Sequence, residues 1–300
     1  MANSHELAAM RRAIAISAQG LGSTSPNPPV GCVILDSEGR SVSEGYHVRK
    51  GEPHAEVNAL TAAGDLARGG TAVVTLEPCN HYGRTPPCRE ALINAHVNRV
   101  LIAVMDPTSR GEGGASILRD SGVDVEIGVL KEEALFVLGP WLASILAGRP
   151  FITWAYEADS NGSPVAHSEH GTVLENIRSL HDSHDFVLDQ KMVIAEGRPR
   201  SHGEDVFQMP HQPLSLNPRE AIEEFRAAGA RSVLIEGISD EALSIVTSVP
   251  ADQVIAYLPC TSSSRTHEET AAHLTALPDG YRINEVSRVG NYVRLVGRRT

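Results

Sequence analysis

One histidine and two cysteines constrain this chain more than anything else in it. His54 stands in "PHAEVNAL", and Cys79 and Cys88 follow 25 and 34 residues later, bracketing the polar, proline-stiffened loop "CNHYGRTPPC". Two such cysteines, in a chain with only four, are either disulfide partners or metal ligands. The N-terminal "MANSHELAAMRRAIAIS" has no apolar run of signal-peptide length, and no stretch of the sequence is apolar for long enough to span a bilayer. The chain therefore reads as cytoplasmic, where thiols stay reduced, and metal is the better reading. One His with two Cys is a three-ligand zinc set whose fourth position is left for water, the pattern of catalytic rather than structural zinc. Cys32, inside "VGCVIL", and Cys260 read as plain core or surface residues.

Length and patterning give the frame for that cluster. Three hundred residues favour two domains over one core. In the first half Leu7, Met10 and Ile14 mark one face of a helix, and a turn region follows at "GLGSTSPNPP". "VGCVIL" and "SVSEGYH" predict two strands, "HAEVNALTAA" a helix and "TAVVTL" a buried strand. A helix starting near Pro87 comes next, then "RVLIAV", a short helix near "ASILRDS" and a strand at "VDVEIGV". Alternation of this kind predicts a sheet with helices on both faces. A boundary falls at "LAGRP", residues 147 to 150, where Gly and Pro end a helix that begins near Leu130. Beyond it "FITWAY", "SVLIE", "QVIAYL", "YRINEVSRV" and "YVRLVG" predict strands, and "PREAIEEFRAAG" a helix. Residues 198–217 lack an apolar period and read as a long loop. A net charge of −11 speaks against nucleic acid as a partner, since phosphates need Lys and Arg to neutralise them. It leaves room for an anionic small molecule in a locally positive pocket.

Glu56 sharpens the chemistry. Two residues after the candidate ligand His54, at a helix start, it reaches metal-bound water rather than the metal, as in zinc deaminases, where a non-ligand Glu shuttles protons. Glu56 is the candidate catalytic residue, taking a proton from water and delivering protons to a ring nitrogen and the departing amine. "TSPNPPVGCVIL", "GEPHAEVNAL", "VTLEPCNHYGRTPPC" and the "DP" of "AVMDP" resemble the bifunctional riboflavin-biosynthesis deaminase/reductase family. The likeness covers roughly residues 5–147, its pyrimidine deaminase domain. It implies Zn2+ held by His54, Cys79 and Cys88, and substrate contacts at Asn27, His47, Arg84 and Asp106, with Arg84 near a substrate phosphate. The implied reaction removes the 2-amino group of a diamino-ribosylamino-pyrimidinone 5′-phosphate and releases ammonia. Two departures stand out: Asn80 in place of a common Ser, and "DPTSRGEGGASIL" in place of a D-P-N-P run, which alters the pocket wall after Asp106.

The second half resembles the family's reductase domain in outline, "GRPFITWAY" opening a dihydrofolate-reductase-like fold that uses NADPH. Ala155 takes the place of a Lys, "DSNG" replaces S-L-D-G, and Gln190, Met192 and Val193 replace a G-x-G-T loop. Ile238 stands where a second glycine is expected. Glycine there lets backbone approach a cofactor phosphate, and side chains obstruct it. The expectation is thus an α/β chain: a cytidine-deaminase-like three-layer α/β/α domain at 1–147, then a shortened, degenerate reductase-like domain at 149–300. It binds no NADPH, and its residual role is dimerisation or support of the first domain. Bifunctional deamination and reduction, and deamination of a related amino-pyrimidine in a secondary pathway, stay open as alternatives. Neither His5 nor His81 is tied to the metal, and the histidines of "AHSEH" and "SLHDSHD" read as solvated.

Overall fold

The computed structural model describes residues 1–82, 86–109, 113–165, 171–198, 217–260 and 277–300. They form two compact units, Met1–Leu146 and the residues from Ala147 onward.

In the first unit the strands are β1 (Gly31–Leu35), β2 (Ser41–Tyr46), β3 (Thr71–Leu76), β4 (Arg99–Val104) and β5 (Asp124–Ile127). They lie in the order β2-β1-β3-β4-β5, with β1 antiparallel to both neighbours and β3, β4 and β5 parallel. Strands β1, β3 and β4 are almost wholly buried, as their unbroken Val/Ile/Leu runs require of strands covered on both faces. The helices are α1 (Ser4–Ser17), α2 (Ala55–Ala63), α3 (Cys88–Asn94), α4 (Gly113–Asp120) and α5 (Lys131–Ala147). Helix α1 opens with a capping box in which Asn3 and Glu6 satisfy each other's backbone N–H groups.

Two close approaches put helices on opposite faces. A Cβ on Gly31 would lie 2.1 Å from the Ala13 carbonyl of α1, and one on Gly45 would lie 2.5 Å from the Ala59 nitrogen of α2. Gly45 pairs with Cys32, the neighbour of Gly31, and successive strand residues face opposite ways. Helix α5 is tied to α1 by the forked Arg11–Glu133 pair, while α2, α3 and α4 are successive neighbours. The unit is therefore three layers, α/β/α.

This topology gathers the loops that matter at one end of the sheet. The segment with Cys79 leaves the carboxyl end of β3, and that with Asp106 leaves the carboxyl end of the parallel β4. Because β1 runs antiparallel to β3 and β2 antiparallel to β1, Asn27 before β1 and His47 after β2 reach the same end. Open α/β sheets bind ligands at this end.

The second unit holds β6 (Phe151–Ala158), β7 (Pro164–Val165), α6 (Thr172–His181), β8 (Phe186–Leu188), β9 (Ile194–Glu196), α7 (Pro218–Ala227), β10 (Ser232–Glu236), α8 (Asp240–Ser248), β11 (Gln253–Pro259), β12 (Tyr281–Val289) and β13 (Tyr292–Arg299). The sheet runs β12-β13-β11-β6-β10-β8-β9, with β7 paired to β6. The central β11, β6, β10 and β8 are parallel and the flanking pairs antiparallel. Helix α6 packs Val173 and Ile177 on one face, and α7 and α8 pack Phe225 and Ile245 on the other.

Several elements go beyond the sequence expectations: α6, α8 and the short β7, β8 and β9. Two histidines correct them. His184 is buried, its Nδ1–H donating to the Leu180 carbonyl and its Nε2 accepting from Thr153 Oγ1, and half-buried His181 pairs with the buried Glu236. The expected long loop lies, for residues 199–216, outside the described residues.

Candidate active site

The metal cluster forms from three separate elements. His54 is the N-cap residue of α2, extended in backbone and with no capping bond to occupy its ring. Cys79 follows the end of β3, and Cys88 is the first residue of α3, introduced by Pro87. His54 Nδ1 lies 3.2 Å from Cys88 Sγ and 3.6 Å from Cys79 Sγ, and the three ligand atoms lie within 4.8 Å of one another. Tetrahedral zinc with ordinary bond lengths sets N···S near ~3.6 Å and S···S near ~3.8 Å, so the donor set fits that ion. Among the described residues this is the one such group, and all four cysteines are free.

Electrostatics prepare the cluster for a cation. Cys79 is held well below the ordinary thiol range, first by the Cys88 thiol and then by His54, and the Cys88 N–H donates to its sulfur at 3.2 Å. Cys88 goes the other way, because the pair shares one proton and its own thiol is buried. A bound dication removes that asymmetry by taking both as thiolates. Glu56, in the first turn of α2 and buried, has its carboxyl pushed up to about 7 by desolvation, and it contacts the Cys88 thiol. A carboxyl titrating there exchanges protons near neutral pH.

His47 packs edge-on against His54, ring centroids 5.2 Å apart, and both of its nitrogens are engaged. Nδ1 lies 3.1 Å from the Pro53 carbonyl, which can only accept, so Nδ1 carries the proton. Nε2, 3.2 Å from Asn27 Nδ2, must then accept from that amide. The ring is 2% exposed, and its burial lowers its basicity and keeps it neutral. This fixes the Asn27 amide with its nitrogen toward His47, leaving its carbonyl oxygen for another donor. Trp141 donates from Nε1 to the Pro26 carbonyl and holds the preceding residue.

Of the residues expected from sequence, His54, Cys79, Cys88, Glu56, His47 and Asn27 thus form one linked constellation. Asp106 joins it less directly. Its Oδ1 accepts from the Thr108 N–H at 2.8 Å and Thr108 Oγ1 at 2.7 Å, closing a tight turn. Arg84 lies outside the described residues. Sequence reasoning missed Glu77, which is buried between β3 and Cys79 and accepts hydrogen bonds from the Asp106 turn. No local pattern marks it, because its donors come from the Asp106 turn and the start of α4, 29 to 38 residues away.

In the second unit a cleft of about 400 Å³ opens at the carboxyl ends of β8 and β10. It is lined by Arg178 and His181 of α6, by Asp189, Gln190 and Lys191, and by Glu236. Met192, next in that loop, has φ +60°, a left-handed conformation that glycine adopts at lower cost.

Comparison with known proteins follows the same division. Residues 3–104 match the family described as the cytidine and deoxycytidylate deaminase zinc-binding region. The diaminohydroxyphosphoribosylamino-pyrimidine deaminase of Buchnera aphidicola subsp. Schizaphis graminum is 48% identical over 126 residues, 42% of this chain and 85% of that one. The chloroplastic riboflavin biosynthesis protein PYRD of Arabidopsis thaliana is 47% identical over 154 residues, 51% of this chain. The match spans only 36% of that protein's length. In fold the likeness runs further: the deaminase/reductase of Thermotoga maritima gives a TM-score of 0.78 at 23% identity, covering 99% of both chains. RibD of Acinetobacter baumannii gives 0.75 at 25% identity, also over 99% of both. A cytidine-deaminase-like unit followed by a reductase-like unit is therefore the architecture, and these two curated relatives align with about half of the chain.

Proposed function

The chain belongs to the riboflavin-biosynthesis deaminase/reductase family, and from that premise we propose that its first unit hydrolytically removes the 2-amino group of a diamino-ribosylamino-pyrimidinone 5′-phosphate. The observation that carries the reading is the convergence of His54 Nδ1, Cys79 Sγ and Cys88 Sγ beside the buried carboxyl of Glu56. Zinc held by the three ligands supplies Lewis acidity, making water nucleophilic near neutral pH. Every other task falls to side chains. Glu56 takes a proton from water as it adds to the amidine carbon and passes it to the ring nitrogen, then takes the proton of the new hydroxyl and passes it to the departing amine. The C–N bond breaks, a carbonyl forms and ammonia leaves. Asn27, oriented by His47, presents its carbonyl oxygen to an N–H of the pyrimidine edge. Asp106 offers its second carboxylate oxygen to the substrate, and Arg84 takes its phosphate. Four free cysteines suit a reducing, cytoplasmic setting.

The second unit, on this reading, carries no NADPH-dependent activity. Supporting this, Gln190 and Lys191 place side chains in the cleft where a glycine loop would admit a phosphate, and Glu236 is engaged by His181. Its remaining role is to support the first unit or to join two copies, and light scattering of the chain with and without residues 149–300 separates the two. A bifunctional enzyme is the competing reading, favoured by the left-handed backbone kept at Met192. NADPH titration followed by nicotinamide fluorescence decides: saturable binding defeats the pseudo-reductase assignment, and its absence defeats the bifunctional one.

A further inference from the structure

We propose that Glu77 is a positioning residue for the deaminase site. Its carboxylate clamps the turn that begins at Asp106 onto the metal-binding segment, and Ser109 supplies one bond of the clamp. The inference rests on the deaminase reading above and adds to it what holds the substrate-facing wall.

Glu77 sits between β3 and Pro78–Cys79, is 4% exposed, and continues the β3–β4 pairing through its N–H to the Val104 carbonyl at 2.9 Å. Its backbone is thus fixed by the sheet, and its side chain reaches two places. Oε1 accepts the Ala115 N–H at 3.0 Å, in the first turn of α4, where a carboxylate complements the helix dipole. Oε2 accepts the Ser109 hydroxyl at 3.0 Å and the Asp106 N–H at 3.3 Å. Helix capping accounts for the first oxygen alone. The second goes to both ends of the four-residue turn that carries Asp106.

The seat is built for close contact. A Cβ on Gly113, at φ +76°, would fall 2.5 Å from Glu77 Oε1, and one on Gly114 would fall 1.9 Å from the Pro78 carbonyl oxygen. The start of α4 therefore lies directly on the two residues before the ligand Cys79. Within the turn, Thr108 occupies Oδ1 of Asp106, and Oδ2 makes no hydrogen bond among the described residues. Asp106 is aimed by its turn, and the turn by Glu77. Ser109 thus tethers the far end of the turn to a buried carboxylate, and a bond to a charged acceptor is a strong one.

The test uses the full-length, zinc-loaded chain and the variants Ser109→Ala, Ser109→Thr and Glu77→Gln. Steady-state kinetics are measured with the diamino-ribosylamino-pyrimidinone 5′-phosphate, alongside zinc content and amide hydrogen exchange at Asp106 and Ala115. Ser109→Ala raises KM about fivefold with kcat within about twofold of wild type, and Ser109→Thr restores KM. Glu77→Gln, which turns an NH2 toward N–H donors, raises KM about tenfold or more at unchanged zinc content and speeds both amides at least about tenfold. Should Glu77→Gln fail to fold, Ser109→Ala carries the test. Unchanged exchange in the variants overturns the clamp, and so does faster exchange with unchanged KM. Exchange needs no turnover, so a wild-type chain that releases no ammonia sinks the deaminase reading separately.

Discussion

His184 makes the second unit acid-sensitive in a calculable way. Its ring is buried, with Nδ1–H held by the Leu180 carbonyl at 2.8 Å and Nε2 by the Thr153 hydroxyl at 2.9 Å, and its pKa falls from 6.5 to about 4. Burial is the main cause; nearby His181 lowers it a little further and Glu236 opposes. A folded-state pKa below the unfolded value means that the unfolded chain binds the proton first. Stability is unaffected at pH 7 and is lost as pH falls from the unfolded toward the folded value. Linkage gives a loss of about 1 kcal/mol at pH 6, about 2 at pH 5 and about 3 below pH 4 from this one group. Trp154 lies beside Thr153 in β6, and Trp141 is the chain's other tryptophan. In a Trp141→Phe background, urea titrations followed by Trp154 fluorescence therefore report the second unit. His184→Gln keeps a donor and an acceptor but cannot titrate, so its loss between pH 7 and 5 should be smaller by about 2 kcal/mol. Equal losses in the two proteins would refute the reasoning and place the acid sensitivity in the carboxylates.

Metal should stabilise the first unit measurably. Zinc at about a thousand times its dissociation constant adds about 4 kcal/mol, and calorimetry should show this gain lost with chelator or in Cys88→Ser. His47→Ala leaves the Pro53 carbonyl and the Asn27 amide without their partner in a buried place. It should cost about 2 kcal/mol or more in a denaturant titration and raise KM, while His47→Gln recovers part of both. Met192→Gly relieves a left-handed backbone worth about 1 kcal/mol but gives up partly buried thioether packing, so the second unit's midpoint should shift little in either direction.

The site was more legible than the fold around it. His54, Glu56, Cys79 and Cys88 were readable because metal chemistry demands particular residue types, and the strand and helix that place them carry plain apolar patterns. Glu77 was not, since a lone carboxylate at a strand end looks like any solvated charge until its donors arrive from 29 to 38 residues away. In the second half the long strands were legible from their apolar runs. Helix α6 is hard to read from sequence although Val173, Leu174 and Ile177 sit at helical spacing, because it runs into the polar stretch from His181 to Asp185. Strands β8 and β9 are three residues each, too short to show a period. The burial of His184 depends on Thr153 of a strand 31 residues earlier, a pairing that no local pattern encodes.

The central claim is that this chain deaminates and does not reduce. Its most direct test is to incubate zinc-loaded wild type and Glu56→Gln with the diamino-ribosylamino-pyrimidinone 5′-phosphate, with and without NADPH, following ammonia and product mass. The account predicts ammonia from wild type, a rate at least about a hundredfold lower in Glu56→Gln at equal zinc content, and no mass gain of two hydrogens with NADPH. Undiminished ammonia release by Glu56→Gln, or a reduced product from wild type, would contradict it.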